Sequence, residues 1–194
     1  EIKSMQETTL LNRKIQPPIK DAIDFHLDLK ACQRFTLDNG VEVYAVDAGA
    51  EEVLQMEMVF YAGNWYEEKN GIAAAANFLL KNGTRSRSAF EVNEHFDYYG
   101  AYLNRNCYNE TANLILHCLS KSLGDLLPVM KEILVDSVFP EHELEVYKQN
   151  MKQRLEVNLK KCDVVANRLI DEYLYGPEHP YGKNSNLEMY DALN

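Results

Sequence analysis

The sequence predicts an α+β domain of two layers, in which helices pack on one face of a largely antiparallel sheet. Segments with strand patterns are joined by short hairpin turns, which favour antiparallel pairing. The predicted helices occur in blocks rather than alternating singly with strands, which is typical of helices segregated to one face of a sheet. The chain has 194 residues, enough for one substantial core.

The composition argues against two classes of partner. The net charge of −10 argues against a nucleic-acid surface and against an anionic membrane surface. No apolar run reaches the ~20 residues of a membrane span, so no membrane insertion is expected. Cys32, Cys107, Cys118 and Cys162 show no C-x-x-C spacing. We therefore expect mostly buried free thiols, with Cys107 and Cys118 as the pair if any disulfide forms.

The first part of the chain is predicted to be an arm followed by strands. Residues 1–30 are polar and mixed and contain Pro17-Pro18, which favours an extended arm or linker over a helix. The turn Asp38-Asn39-Gly40 indicates a hairpin, because Asn-Gly accepts positive φ angles. Strands are expected over residues 32–37, 41–46 and 53–62.

A helix is predicted to begin after Gly71. Four successive alanines and then two leucines favour helix, and no β-branched residue falls between Ala73 and Leu80. Gly83 is placed to end this helix. Because apolar residues cover every side of it, we expect the helix to be buried all round.

The remaining chain is predicted to hold two strands and several helices. Ser88-Ala89-Phe90-Glu91 is a capping box, so a helix is expected from Ser88 to Gly100. Phe139-Pro140 should end a later helix, since proline cannot continue one. The expected strands cover residues 101–107 and 111–119, the expected helices cover 120–137, 141–161 and 163–175, and a rigid turn covers 176–182.

Five strings occur in this order: Leu37-Asp38-Asn39-Gly40-Val41, Gly71-x-Ala73 with Gly83-Thr84, Ser88 to Gly100-Ala101, Phe139-Pro140-Glu141, and His179-Pro180-Tyr181-Gly182. Together they resemble the pitrilysin family of inverted zincins, which includes insulin-degrading enzymes and mitochondrial processing peptidase. The resemblance covers roughly residues 32–185. It implies a pitrilysin-like half-domain over residues 31–194, apparently truncated at its C-terminal end, after an arm over residues 1–30.

The resemblance also implies that the zinc motif is degenerate. In active members this helix carries H-x-x-E-H, whose histidines bind zinc and whose glutamate activates water. Aligned without gaps, the three positions are Ala74, Asn77 and Phe78; alanine and phenylalanine have no donor atom, and asparagine does not titrate. The distal acidic position falls on Arg154, or on Glu156 after a shift of two residues, and this choice stays open. No catalytic residue and no metal ligand are therefore expected in this chain.

Three functions are compatible with these expectations. The first is a non-catalytic half or subunit that shapes a peptide-binding chamber, where zinc is supplied only by a second pitrilysin-like domain or subunit. The second is a longer chain that is an active zinc endopeptidase through another domain. The third is a structural core subunit of a larger complex. The strand over residues 53–62 either offers an open edge to an extended peptide or is shielded by the arm.

Other groups of ionisable residues have plainer explanations. Glu91 and His95 lie four residues apart on a predicted helix, where they could bind a metal ion together. We prefer the explanation that they are two solvent-exposed neighbours on the helix surface. Glu141-His142-Glu143 lies in the first turn of a helix, where acids are stabilised by the helix dipole. His179 precedes a proline in a turn, which favours a structural role.

Overall fold

The computed structural model describes residues 29–49 and 51–194. The chain divides into two units, residues 1–48 and residues 49–194. The predicted arm lies outside the described residues except for residues 29 and 30, and the boundary proposed for it stays a prediction.

The first unit contains a β-hairpin. Its strands, β1 (Cys32–Thr36) and β2 (Glu42–Val46), pair antiparallel with Phe35 opposite Val43. The turn is closed by the Gly40 N–H, which donates to the Leu37 carbonyl at 2.9 Å, and Gly40 has a φ of +84°. The local Asn-Gly signal therefore predicted the turn correctly.

The second unit contains a three-stranded antiparallel sheet in the order β3-β5-β4. Met56 of β3 and Leu103 of β4 both lie opposite Leu116 of the central strand. The strands are β3 (Val53–Phe60), β4 (Tyr102–Cys107) and β5 (Ala112–Leu119). Strand β3 ends two residues earlier than predicted, because the Ala62 N–H turns back to the Phe60 carbonyl at 2.9 Å.

Six α-helices follow or separate these strands in the described chain. The Ser88–Glu91 capping box is present at the start of the second helix, as predicted. The helix predicted from Ser120 opens instead with a short 3-10 turn, Ser120–Ser122. Within the described helices, none has the length and apolarity needed to cross a membrane. The helices are α1 (Ile72–Leu79), α2 (Ala89–Tyr98), α3 (Leu123–Val135), α4 (Glu141–Asn158), α5 (Cys162–Tyr175) and α6 (Leu187–Asp191).

One face of the sheet packs against α2 and α3 and forms what we call the main core. Alternate residues of β5, Leu114 and Leu116, are fully enclosed there, while Asn113 and His117 point to the opposite face of the sheet. This arrangement confirms the predicted two-layer α+β fold with helices on one face. The buried residues of the main core are Val92, Phe96, Ala101, Leu103, Leu114, Leu116, Cys118, Leu126, Val129, Met130 and Ile133.

A smaller group, the side cluster, joins α1 to α4 and to the end of the chain. Its buried residues are Ala75, Leu79, Tyr147 and Leu193. The prediction that α1 is buried on every side is wrong, because Phe78 is 38% exposed whereas Leu79 is 2% exposed. The helix packs against the sheet and α4 but leaves one stripe uncovered.

The four cysteines are free thiols, as preferred. The expectation that they are mostly buried is wrong for Cys32 and Cys162, which are exposed. Cys107 lies opposite Ala112, whereas Cys118 lies opposite Leu54 near the other end of β5. The register thus separates the two thiols along the strand, so they cannot form the disulfide considered from sequence.

Candidate functional site

The N-terminus of α1 is capped from the preceding turn. Gly71 has a φ of +89°, and its N–H donates to both carboxylate oxygens of Glu67 at 3.0 Å. The Ala73 N–H also donates to this carboxylate at 3.1 Å. The negative charge therefore satisfies two of the helix's free N–H groups and complements its dipole. A Cβ atom at position 71 would lie 3.0 Å from the terminal methyl of Met189 of α6, so this flexible side chain would have to move slightly.

The three degenerate motif positions lie in the middle and at the end of α1. Ala74 is half-buried, and Asn77 is only 6% exposed. Within the described chain the Asn77 amide makes no hydrogen bond to another residue. Phe78 holds the partly exposed position next to it. Side chains at these three positions thus provide a methyl group, an unpartnered amide and an aromatic ring.

The Phe78 ring contacts both an aromatic ring and a cation. The Tyr147 ring of α4 lies 5.0 Å away between centroids, and the guanidinium carbon of Arg105 lies 4.6 Å from the Phe78 centroid. Arg105 Nη1 also donates to the Phe78 carbonyl and, at 3.4 Å, to Asn82 Oδ1. We call Ala74, Asn77, Phe78, Arg105 and Tyr147 the motif site. The position that the sequence analysis aligned with a histidine of active members thus holds an aromatic ring in contact with a second ring and a cation.

Burial shifts the pKa values of the ionisable side chains at and near the motif site. Burial lowers the pKa of Arg105 to about 10, so this side chain is charged at neutral pH. Burial, followed by the positive charge of Arg105, lowers the pKa of Lys81, and Asp97 offsets part of this shift. Burial also raises the pKa of the Tyr147 hydroxyl, with smaller contributions from Tyr190, Cys107 and Glu67. The site is therefore a weakly solvated region that carries net positive charge.

The two candidates for the distal acidic position lie on different sides of α4. Both Arg154 and Glu156 are exposed. Arg154 follows Tyr147 by seven residues, close to two full helical turns, so it shares the side of α4 that faces α1. Glu156 follows Tyr147 by nine residues and lies on the opposite side. The structure therefore places the arginine, and not the glutamate, on the side of the motif site.

The residues present do not suit a catalytic zinc ion. Zinc in proteins is bound by thiolate, imidazole or carboxylate groups. The motif site offers none of these, and its Arg105 guanidinium would repel a cation. Across residues 29–49 and 51–194, no three His, Cys, Asp or Glu side chains are grouped as a possible metal site.

Sequence reasoning missed Arg105 and Tyr147. A signal for Arg105 was available in the sequence. Leu103, Arg105 and Cys107 occupy every second position of β4, so Arg105 points to the same helix-packed face of the sheet as Leu103. An inward-facing arginine in a strand calls for a partner. Tyr147 carried no comparable signal, because nothing local distinguishes it from the other apolar positions of α4.

The remaining ionisable groups predicted from sequence have local partners. The Glu91 carboxylate accepts a hydrogen bond from the Ser88 N–H at 2.7 Å, while His95 Nε2 lies 3.2 Å from the Asp125 carbonyl. Glu143 accepts a hydrogen bond from the Asn82 amide at 2.7 Å. The His179 ring stacks on Tyr175 with centroids 5.4 Å apart. These contacts support the plainer explanations.

Comparison with known proteins agrees with the motifs. The family model described as insulinase, peptidase family M16, matches residues 43–178, more than half of the chain. The uncharacterised zinc protease YmxG of Bacillus subtilis strain 168 is 24% identical over 146 residues, which cover 74% of this chain and 36% of that protein. Subunit 1 of the mitochondrial cytochrome b-c1 complex of Mus musculus is 22% identical over 174 residues, covering 81% of this chain and 35% of that protein.

A solved structure shares the fold. The crystal structure of a peptidase M16 inactive domain from Pseudomonas fluorescens superposes with a TM-score of 0.72 at 22% identity, over 83% of this chain and 42% of that chain. By the coverages given above, this chain spans about a third of the length of the zinc protease YmxG and of the cytochrome b-c1 subunit. The match over residues 43–178 shows that this chain belongs to the insulinase family, peptidase family M16.

Proposed function

We propose that this chain is a non-catalytic insulinase-family domain that forms part of the wall of a peptide-binding chamber. Its partner would be a second domain or subunit of the same family, which alone would supply zinc. The observation that carries the proposal is the composition of the motif site, where the Phe78 ring contacts Arg105 and Tyr147 and no side chain is a zinc ligand. The similarity to a solved peptidase M16 inactive domain supports the same assignment.

The outer edge of β4 supports a role in holding an extended peptide. Strand β4 pairs with β5 on one side, and within the described residues no backbone group pairs with its other side. This strand also packs against α1. From sequence, β3 was expected either to offer an open edge to a peptide or to be shielded by the arm. In the structure β3 lies at the edge of the sheet opposite to β4. An extended peptide added to β4 would gain main-chain hydrogen bonds with little sequence preference.

Metal analysis of the purified chain tests the non-catalytic assignment. We expect no stoichiometric zinc after exposure to zinc and removal of the unbound ion, measured by mass spectrometry. One equivalent of zinc lost on substitution of α1 residues would overturn the proposal.

A back-substitution tests whether α1 occupies the place of the zinc helix. We expect Ala74→His with Asn77→Glu and Phe78→His to bind zinc weakly, because Arg154 faces the site in place of the distal acid. Adding Arg154→Glu should strengthen binding markedly, whereas zinc uptake unaffected by Arg154→Glu would contradict the proposed alignment. The triple variant with Glu156→Gln serves as the control, because Glu156 lies on the other side of α4.

A second candidate function is favoured by the names and lengths of the relatives. Since a zinc protease matches over only 36% of its own length, a longer protein containing this domain would be a zinc endopeptidase through another domain that retains H-x-x-E-H. A peptidase assay of such a protein, with that motif mutated, separates this candidate from a purely non-catalytic subunit. The similarity to a cytochrome b-c1 subunit favours a third candidate, a structural core subunit, which requires a stable complex and no effect on peptidase activity.

A further inference from the structure

Arg105 carries a half-buried charge that has no acidic partner within the described chain. Its contacts are the Phe78 carbonyl, the Asn82 amide oxygen and the face of the Phe78 ring, all of which are neutral. Within the described chain, Arg105 forms no ion pair. A half-buried guanidinium with five N–H donors and no carboxylate is costly to desolvate and favours an anion.

The nearest carboxylates are engaged elsewhere. Glu67 accepts hydrogen bonds from the Gly71 and Ala73 N–H groups at 3.0 and 3.1 Å. Glu143 reaches Arg105 only through Asn82, whose amide donates to Glu143 at 2.7 Å. Lys81 lies near enough for the charge of Arg105 to lower its pKa, and within the described residues it has no ion-pair partner. Asp97 offsets part of the shift of Lys81, but neither Asp97, Glu67 nor Glu143 forms an ion pair with Arg105 in the described chain.

Two further polar groups of the motif site have no partner. Asn77 is 6% exposed and Tyr147 is 5% exposed. Neither the Asn77 amide nor the Tyr147 hydroxyl makes a hydrogen bond to another described residue. Among the described residues, the only fully buried side-chain polar atom without a partner is Asn113 Oδ1, so the polar atoms of Asn77 and Tyr147 stay accessible and can donate to a bound ligand. An amide N–H and a phenolic O–H are both donors, as is the guanidinium.

We propose that the motif site binds an acidic side chain of an extended peptide, with Arg105 as the charge partner of its carboxylate. A peptide strand paired with the free edge of β4 places every second side chain on the helix-packed face of the sheet. The residue directly opposite Arg105 would have its Cβ roughly 5 Å from that of Arg105, where opposite charges stabilise a cross-strand pair. This inference rests on the proposed peptide-binding function and adds a preference at one peptide position.

Fluorescence anisotropy with the full chain tests this inference. The probes are short labelled peptides of Thr and Val with blocked ends, in which a single Glu, or a single Gln in the control series, is moved through the central positions. We expect the best Glu peptide to bind about fivefold more tightly than its Gln counterpart, as for a partly exposed ion pair. The preference should decrease as salt is raised, because salt screens the pair.

Substitutions assign the preference to Arg105. Arg105→Gln should abolish it, while Arg105→Lys keeps the charge and should retain part of it. Lys131→Gln removes one positive charge from an exposed position of α3 and should leave the preference unchanged. Circular dichroism checks that each variant is folded, and Arg105→Lys remains informative if Arg105→Gln is not.

The alternative outcomes are distinct. If peptides bind but Glu and Gln series are equal, the acidic preference is wrong and the peptide-binding function stands. If no peptide binds, both the acidic preference and the proposed peptide-binding function are wrong. If an unblocked Gln peptide binds as tightly as the blocked Glu peptide, the site recognises peptide C-termini, and the assignment to an acidic side chain is overturned.

Discussion

The main core encloses eleven buried residues between the sheet and helices α2 and α3, whereas the side cluster encloses four between α1, α4 and the end of the chain. The main core consists of aliphatic side chains with one aromatic ring, Phe96, and one thiol, Cys118. The side cluster includes Tyr147, whose ring contacts the partly exposed Phe78 ring, and the Arg105 guanidinium lies over that Phe78 ring. We therefore expect the main core to contribute most of the domain's stability and the side cluster to position the motif site.

A matched pair of Leu→Ala substitutions is the strongest test of this comparison. Leu116 is 0% exposed at the centre of the sheet, and Leu79 is 2% exposed in the side cluster. We expect Leu116→Ala to lower the free energy of unfolding by about 4 kcal/mol and Leu79→Ala by about 2 kcal/mol, because α1 can shift to fill part of its cavity. Urea denaturation measures both values. Equal losses would show that the side cluster is as rigid as the main core.

Glu132 connects the two regions and should have the next largest effect. This residue of α3 accepts hydrogen bonds from Thr84, Ser86 and Arg87, which follow the end of α1. Hydrogen bonds from Ser86 and Thr84, helped by Arg87, lower the pKa of the Glu132 carboxyl. Glu132→Gln should cost about 2 kcal/mol at neutral pH, since the bonds to a charged acceptor are weakened.

The pH dependence of stability gives a second measurement of Glu132. Because its folded-state pKa is lowered, its contribution is present above the ordinary carboxyl pKa and is lost as the pH falls through the lowered value. The difference in unfolding free energy between wild type and Glu132→Gln should therefore shrink on acidification. Glu94→Gln, at an exposed position of α2, serves as the control for the substitution. A difference that is constant with pH would assign the cost to packing.

Removing the stacked ring should have a smaller effect, because Phe78 is 38% exposed. We expect Phe78→Leu to cost about 1 kcal/mol, the scale of an aromatic pair and a cation–π contact. Phe90→Leu is the matched control, since Phe90 is 73% exposed, and it should cost less than about 0.5 kcal/mol. If the two variants are equal in urea denaturation, the contacts of Phe78 with Arg105 and Tyr147 contribute nothing to stability.

The same contrast explains what sequence could predict. The Asn39-Gly40 turn and the Ser88–Glu91 capping box are local, and each was predicted from neighbouring residues. The prediction that Gly83 ends α1 is wrong, because the helix already ends at Leu79. The degenerate motif positions also lie within one helix. The partners of Phe78 do not, since Arg105 and Tyr147 meet it only through the packing of β4 and α4 on α1. For the same reason the strand register, which separates Cys107 from Cys118, was beyond local reasoning.

The smallest effect we expect concerns the face of the sheet opposite the main core. Asn113 of β5 is 8% exposed; its amide donates to Glu57 at 2.7 Å, but its Oδ1 atom is buried and has no partner in the described chain. Asn113→Leu removes this unpaired oxygen at similar volume and should raise the free energy of unfolding by about 0.5 kcal/mol, since the lost bond involves an exposed carboxylate. Glu57→Gln, which leaves the oxygen unpaired, should be neutral. A lower free energy of unfolding for Asn113→Leu would contradict this prediction. It would mean that the face opposite the main core needs a polar side chain at this position.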